Sequence, residues 1–271
     1  MFENSSQGRR RFLYIGLSGL AGATAVAVGK NIDPIYYSHA FDNPKRDFRV
    51  TGQNPLNKRA AAKGLIYGAA CGRDLLASDK NLEASIVQEC GILVPENELK
   101  WQLVQPRPDV FDFSGASKIA TFARAHNMLF RGHTLVWHLQ LPEWFKEVVN
   151  RQNAEKILVE HITTVTKRYA GQIHSWDVVN EAIEPSDRLK GGLRKSPWLE
   201  FLGPDYIELA YRVAAKADPK AMLVYNENAL EYGTYQEDTK RTAVLKLLER
   251  LKSRGTPIHA LGIQSHLLGH A

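Results

Sequence analysis

One carboxyl group is set apart by its neighbours. Glu181 lies near the end of Trp176-Asp177-Val178-Val179-Asn180-Glu181-Ala182, where an apolar run gives way to Asn and Glu. A carboxylic acid with a raised pKa can protonate a poor leaving group near neutral pH. Four further clusters of polar and aromatic residues accompany it. They are Pro95-Glu96-Asn97-Glu98-Leu99-Lys100-Trp101; Arg131-Gly132-His133-Thr134-Leu135-Val136-Trp137-His138 with Gln140 to Trp144; Tyr225-Asn226-Glu227-Asn228; and Gln264-Ser265-His266. Singly, each is ordinary, because most His residues are satisfied structurally and most Glu residues are simply solvated. Together they form a set that a buried core would not choose, since unpaired buried polar groups are costly. A pocket for a polyhydroxylated ligand would choose them. Amides, carboxylates and imidazoles hydrogen-bond hydroxyls, and Trp faces stack on the apolar faces of pyranose rings. The residue types therefore point to carbohydrate.

The clusters share one position relative to the expected elements. Short apolar runs read as strands over 65–70, 91–94, 128–132, 173–179, 221–225 and 258–263. Amphipathic stretches read as helices over 81–89, 114–126, 154–169, 205–217 and 239–254. About six strand–helix alternations imply a parallel sheet with helices outside it. No Gly-x-Gly-x-x-Gly turn follows the first strand, which argues against a dinucleotide-binding doubly wound sheet. The polar clusters instead follow the C-terminal ends of successive strands, where a (β/α) barrel keeps its chemistry.

These segments, in this order and spacing, resemble glycoside hydrolase family 10, the endo-1,4-β-xylanases. The resemblance covers roughly residues 60 to 271 and rests most heavily on Arg131–His138 and Trp176–Ala182. It implies an α/β fold, the eight-stranded TIM barrel, and retaining hydrolysis of internal β-1,4 xylosidic bonds. Carried over by position, Glu181 would be the general acid/base. Asn180 would bond the sugar 2-hydroxyl, and His133 and Trp137 would line the same subsite. Glu96, Asn97 and Lys100 would hold the neighbouring xylose, and Gln264 and His266 would orient the nucleophile.

The sequence departs from the family pattern in one major respect. Retaining enzymes pair the acid/base with a nucleophilic carboxylate about 5 Å away. In the family that is a Glu after the seventh strand, within a Thr-Glu-Leu-Asp type segment. This sequence runs only to about the sixth βα unit, so the nucleophile is expected beyond residue 271, within roughly 60 further residues. Glu227 stands where an Asp is common, and Asn228-Ala229 replace Tyr-Asn. Neither Glu96 nor Glu227 is expected opposite Glu181, so neither is expected to substitute. The alternative is a non-catalytic carbohydrate-binding remnant retaining Glu96, Asn97, Lys100, His133 and Trp137. A metal-dependent hydrolase using His133, His138, His174 and His266 fits poorly, because His174 opens a strand rather than ending one. The proposed chemistry needs no cofactor and no metal.

Charge adds little. The formal net charge is +6, but residues 1–30 hold four basic residues and one acid, leaving 31 basic against 28 acidic residues elsewhere. No dense basic run with interleaved aromatics remains, so no nucleic-acid partner is expected. Gly8-Arg9-Arg10-Arg11-Phe12-Leu13 matches a twin-arginine export pattern. The uncharged stretch Leu13–Val28 is short for a stable span, which needs about 20 apolar residues. Small residues at 23–27 offer cleavage sites. Residues 1–30 therefore read as an export signal, 31–60 as an irregular lead-in, and 61–271 as the catalytic barrel of a periplasmic or extracellular protein. No stable membrane partner is expected unless the signal is retained. Cys71 and Cys90 suggest no metal site, and they read better as two small buried hydrophobes than as a disulfide.

Overall fold

The computed structural model describes residues 54–267. The expected export signal, most of the expected lead-in and the last four residues lie outside it. In chain order the elements are α1 (Leu56–Ala61), β1 (Gly68–Cys71), α2 (Arg73–Ser78), α3 (Lys80–Glu89), β2 (Ile92–Pro95), α4 (Trp101–Val104), α5 (Ser114–Ala125) and β3 (Leu129–Val136). There follow α6 (Phe145–Val148), α7 (Ala154–Arg168), β4 (Ser175–Asn180), two short 3₁₀ turns (Pro185–Asp187 and Lys190–Gly192), α8 (Pro197–Leu202), α9 (Tyr206–Ala217), β5 (Met222–Glu227), α10 (Tyr235–Ser253) and β6 (Ala260–Ile263).

The six strands form one sheet in the order β1-β2-β3-β4-β5-β6, and every pairing is parallel. A doubly wound sheet reverses its strand order at a switch point. Here each strand pairs with the next without reversal, which is the order of a barrel wall. Among the described residues β1 pairs only with β2, and β6 only with β5. Leu261 and Ile263 of β6 are accordingly exposed.

The helices form for identifiable local reasons. Asp79 caps α3, its carboxylate accepting from Asn81 N and Leu82 N at 3.0 Å. Ser196 caps α8 ahead of Pro197, and Thr234 caps α10. Helix α7 buries Ala154, Leu158, Ile162 and Val165, and α9 buries Ile207, Ala210, Tyr211 and Ala214. Those spacings make one apolar stripe on each helix. All six residues of β4 are buried, so this strand is covered on both faces. Gly132 of β3 is required by the ring of Trp176 on β4: a Cβ there would lie 2.1 Å from Trp176 Cε3.

Three boundaries differ from the sequence expectation. Helix α1 begins inside the stretch expected to be irregular and crosses its boundary by one residue; Pro55 sets its start, and Leu56 N donates to Glu89 of α3. The first strand begins at Gly68 rather than 65. Leu65, Ile66 and Tyr67 are exposed, so their apolar character marks no buried strand. The third strand continues to Val136 instead of stopping at Gly132. Its register against β4 shifts between His133 and Val136. Irregularities of this kind re-aim side chains beside active sites.

Candidate functional site

The polar residues predicted from the sequence meet at the C-terminal ends of β2 to β6. Glu181 directly follows β4 and has φ +56°, in the left-handed region. Such backbone costs a non-glycine residue roughly 1–3 kcal/mol and persists only where the surroundings over-determine it. They do so here. Glu181 N donates to Asn226 O at 2.9 Å, and Arg194 Nε donates to Glu181 O at 2.7 Å. Arg194 N also donates to Ala182 O at 2.8 Å. One peptide is thus tied to β5 and the next to the loop before α8.

The Glu181 carboxylate is equally constrained. Trp137 Nε1 donates to Oε2 at 3.0 Å, while Gln264 Nε2 and Asn180 Nδ2 donate to Oε1 at 2.9 and 3.2 Å. Burial acts to raise the pKa of this group. The Gln264 and Trp137 donors, followed by nearby His138 and Arg194, outweigh burial and hold it below its ordinary value. The sequence expectation of a raised pKa is therefore corrected. The groups acting on Glu181 are donors and cations, whereas raising the pKa needs a facing carboxylate or loss of those donors.

The other expected residues are placed as follows. His133 Nδ1 lies 2.9 Å from Asp177 Oδ2, and Arg131 Nη2 donates to Asp177 Oδ1 at 2.5 Å. Buried Asp177 thereby fixes the His133 ring and commits its Nδ1, leaving Nε2 for other partners. Trp137 lies 6.4 Å from that ring, centroid to centroid. Lys100 Nζ lies 5.5 Å from the centre of the Trp137 ring, in cation–π range, and donates to Asn97 Oδ1 at 3.0 Å. Burial lowers the Lys100 pKa, against the opposing charges of Glu96, Glu98 and Glu181. Glu96 is exposed and reaches the group only through that field.

Asn180 is buried, and its Oδ1 accepts from Asn226 Nδ2 at 2.9 Å and Gln264 Nε2 at 3.1 Å. One amide N–H of Asn180 remains uncommitted. His266 Nε2 donates to Gln264 Oε1 at 2.8 Å. Gln264 and His266, expected to orient a nucleophile, here lead into Glu181 itself.

Several supporting residues were not predicted. Arg194 stands thirteen residues beyond Glu181 in an irregular loop, where no periodicity marks it. His138, named only as a metal candidate, has a buried Nδ1 without a partner; burial, then Arg194, lowers its pKa to about 4. His161 and Gln105 brace Trp101: Trp101 Nε1 and His161 Nδ1 both donate to Gln105 Oε1, at 3.0 and 2.9 Å. Glu227 is fully buried and turned to Tyr225 and Lys240. Among the described residues no group of three or more His, Cys, Asp or Glu could hold a metal ion. Cys71 and Cys90 are buried free thiols in the core.

Residues 55–271 match the model of the family described as Glycosyl hydrolase family 10. A protein named Beta-1,4-xylanase from Dictyoglomus thermophilum is 43% identical over 177 residues, covering 64% of this chain and 47% of that protein. Endo-1,4-beta-xylanase A from Xylanibacter ruminicola is 36% identical over 223 residues, covering 80% and 58% respectively. The crystal structure of xylanase 10B from Thermotoga petrophila RKU-1 in complex with xylobiose superposes with a TM-score of 0.72 at 34% identity, covering 79% of this chain and 64% of that one. The chain spans about half the length of these curated relatives.

Proposed function

The chain belongs to glycosyl hydrolase family 10, and from that premise we propose that the protein is an endo-1,4-β-xylanase in which Glu181 is the general acid/base. The observation that carries this reading is the construction around Glu181. A strained left-handed residue at a strand end presents a carboxylate to Trp137, Gln264 and Asn180. Strain of this kind concentrates where geometry serves chemistry.

In the retaining mechanism a second carboxylate facing Glu181 raises its pKa, which the donors present here hold down. Glu181 protonates the glycosidic oxygen while that carboxylate attacks the anomeric carbon. Glu181 then removes a proton from the water that hydrolyses the glycosyl-enzyme. By the family resemblance the attacking group is a Glu on a seventh strand, which this sequence does not include. Glu227 does not take that role, since both its oxygens are committed in the core. In this reading xylan or xylo-oligosaccharides occupy the strand ends. Asn180, His133 and Trp137 contact the sugar at the cleavage point, Glu96, Asn97 and Lys100 hold its neighbour, and Gln264 and His266 orient the nucleophile. A binding-only remnant gains no support from relatives whose names are those of xylanases.

Export remains part of the reading and rests on Gly8–Leu13, outside the described residues. Among the described residues no helix is long and apolar enough to cross a membrane.

Glu181→Gln tests the proposal. Gln keeps the shape and the acceptor but cannot donate an acidic proton. Xylan turnover is expected to fall about 10²–10⁴-fold, with xylotriose affinity by calorimetry close to the parent's. Turnover at the parent rate would remove Glu181 from the mechanism.

A further inference from the structure

Glu227 has no solvent exposure, and the sugar-binding reading gives it no task. Its carboxylate is nevertheless saturated. Oε2 accepts from the Tyr225 hydroxyl at 2.6 Å and from Ile183 N at 3.2 Å. Oε1 accepts from Asn228 N at 3.1 Å and pairs with Lys240 Nζ at 3.0 Å. Lys240 is itself buried on α10 and also donates to Asn228 Oδ1. The Tyr225 hydroxyl in turn accepts from Ala182 N at 3.2 Å. The N–H groups of the two residues after Glu181 therefore both end on this cluster, one directly and one through a single hydroxyl.

A second line runs through the Glu227 main chain. Its carbonyl accepts from Gln264 N at 3.0 Å, and the Gln264 side chain donates to Glu181 Oε1 at 2.9 Å. One residue thus holds both the turn that carries Glu181 and the strand end that supplies a donor to its carboxylate. Burying two charges is expensive, and an apolar pair of similar volume is often as stable. Stability alone is a weak reason for this arrangement, and the contacts it makes indicate another.

We propose that the buried Glu227–Lys240 pair, acting through Tyr225 and the Ile183 N–H, is a positioning device that sets the turn at Glu181 and aims its carboxyl group. The inference rests on the reading of Glu181 as acid/base. It adds residues that touch no substrate yet govern where the proton is delivered. Burial pushes the Glu227 carboxyl up, with Lys240 and the Tyr225 hydroxyl opposing it. Lys240 therefore supports the ionised form that can accept from the 182–183 main chain.

Three variants test it. Tyr225→Phe removes only the bridging hydroxyl. Glu227→Gln with Lys240→Met removes both charges together, so that neither is stranded. Lys240→Arg keeps the charge. Folding by circular dichroism, kcat and KM on xylohexaose across pH, and the NMR titration of the Glu181 carboxyl are measured for each. The first two variants are expected to lose kcat on the order of 10–100-fold, as small misplacements do, with KM near the parent's and a displaced Glu181 titration. Lys240→Arg is expected to stay close to the parent in all three readouts. Folded variants with parental kcat and an unmoved titration would overturn the proposal and leave the pair a purely structural contact. Should the double variant not fold, Tyr225→Phe carries the same decision. The parent for these assays is the full-length protein with the segment beyond residue 271; should it not cleave xylohexaose, the functional reading fails on its own. The Glu181 titration in Tyr225→Phe then still decides the positioning role, and an unmoved titration overturns it.

Discussion

His161 is expected to make this fold acid-labile well above the pH at which carboxylates matter. The ring is 1% exposed on α7 and stacks on Trp101, with centroids 3.5 Å apart. Its Nδ1–H donates to Gln105 Oε1, and its buried Nε2 has no partner. Burial alone lowers its pKa from 6.5 to about 3. Above pH 6.5 the ring is neutral in both the folded and unfolded chain and adds no pH dependence. Below that, the unfolded chain takes up a proton that the fold refuses, so stability is lost as pH falls from 6.5 to about 3. Each unit in that window costs about 1.4 kcal/mol, so moving from pH 7 to pH 5 costs about 2 kcal/mol from this residue. His138 and His174, also lowered by burial, add to the loss in the same direction. A variant is therefore needed to isolate His161. Phe keeps the stack on Trp101 and does not titrate, while Gln105 Oε1 retains the Trp101 donor. Urea unfolding at pH 7 and pH 5 is the assay. His161→Phe should lose about 2 kcal/mol less than the parent between the two. Equal losses, or an His161 ring signal that titrates near 6 by NMR, would refute the argument.

Other expectations follow from the same geometry. The Glu181 carboxyl should titrate below its ordinary value, so its contribution to stability is present above about pH 4.5 and lost as pH falls through the folded value. Trp137→Phe or Gln264→Ala should move that titration upward by leaving burial less opposed, and an unchanged NMR titration would remove those donors as the cause. Asp177→Asn should cost about 1.5–3 kcal/mol, because Arg131 and His133 lose a charged acceptor; a parental urea midpoint would show the cluster to be dispensable. Gly132→Ala should cost about 1–3 kcal/mol or more, since the new methyl would lie within 2.1 Å of the buried Trp176 ring, and an unaltered midpoint would mean that β3 yields without strain.

What the sequence made legible, and what it hid, separates along physical lines. The βα alternation was readable because helices such as α7 and α9 bury one stripe at a period near 3.6 and because β4 is apolar through its length. The candidate cluster was readable because Glu181, Trp137 and Gln264 are polar or aromatic just past strand ends, and His133 is polar within a strand, where a core would not place them. The supports were hidden because each looks commonplace in one dimension. Lys240 sits in an ordinary charged helix, and only the fold shows it buried against Glu227. Arg194 lies in a loop without periodicity, yet it caps the Glu181 carbonyl across a sequence gap of thirteen residues. The sign of the Glu181 shift was hidden for a related reason. Burial, which sequence context suggests, is only one contribution, whereas the donors that reverse it come from the residues just after β6 and β3, 83 and 44 residues away. The residues that gather at a strand-end cluster can thus be picked out from local residue types. Its electrostatics depend on which distant side chains the sheet order brings together, and β4 receives those side chains from both of its neighbouring strands and from the one beyond.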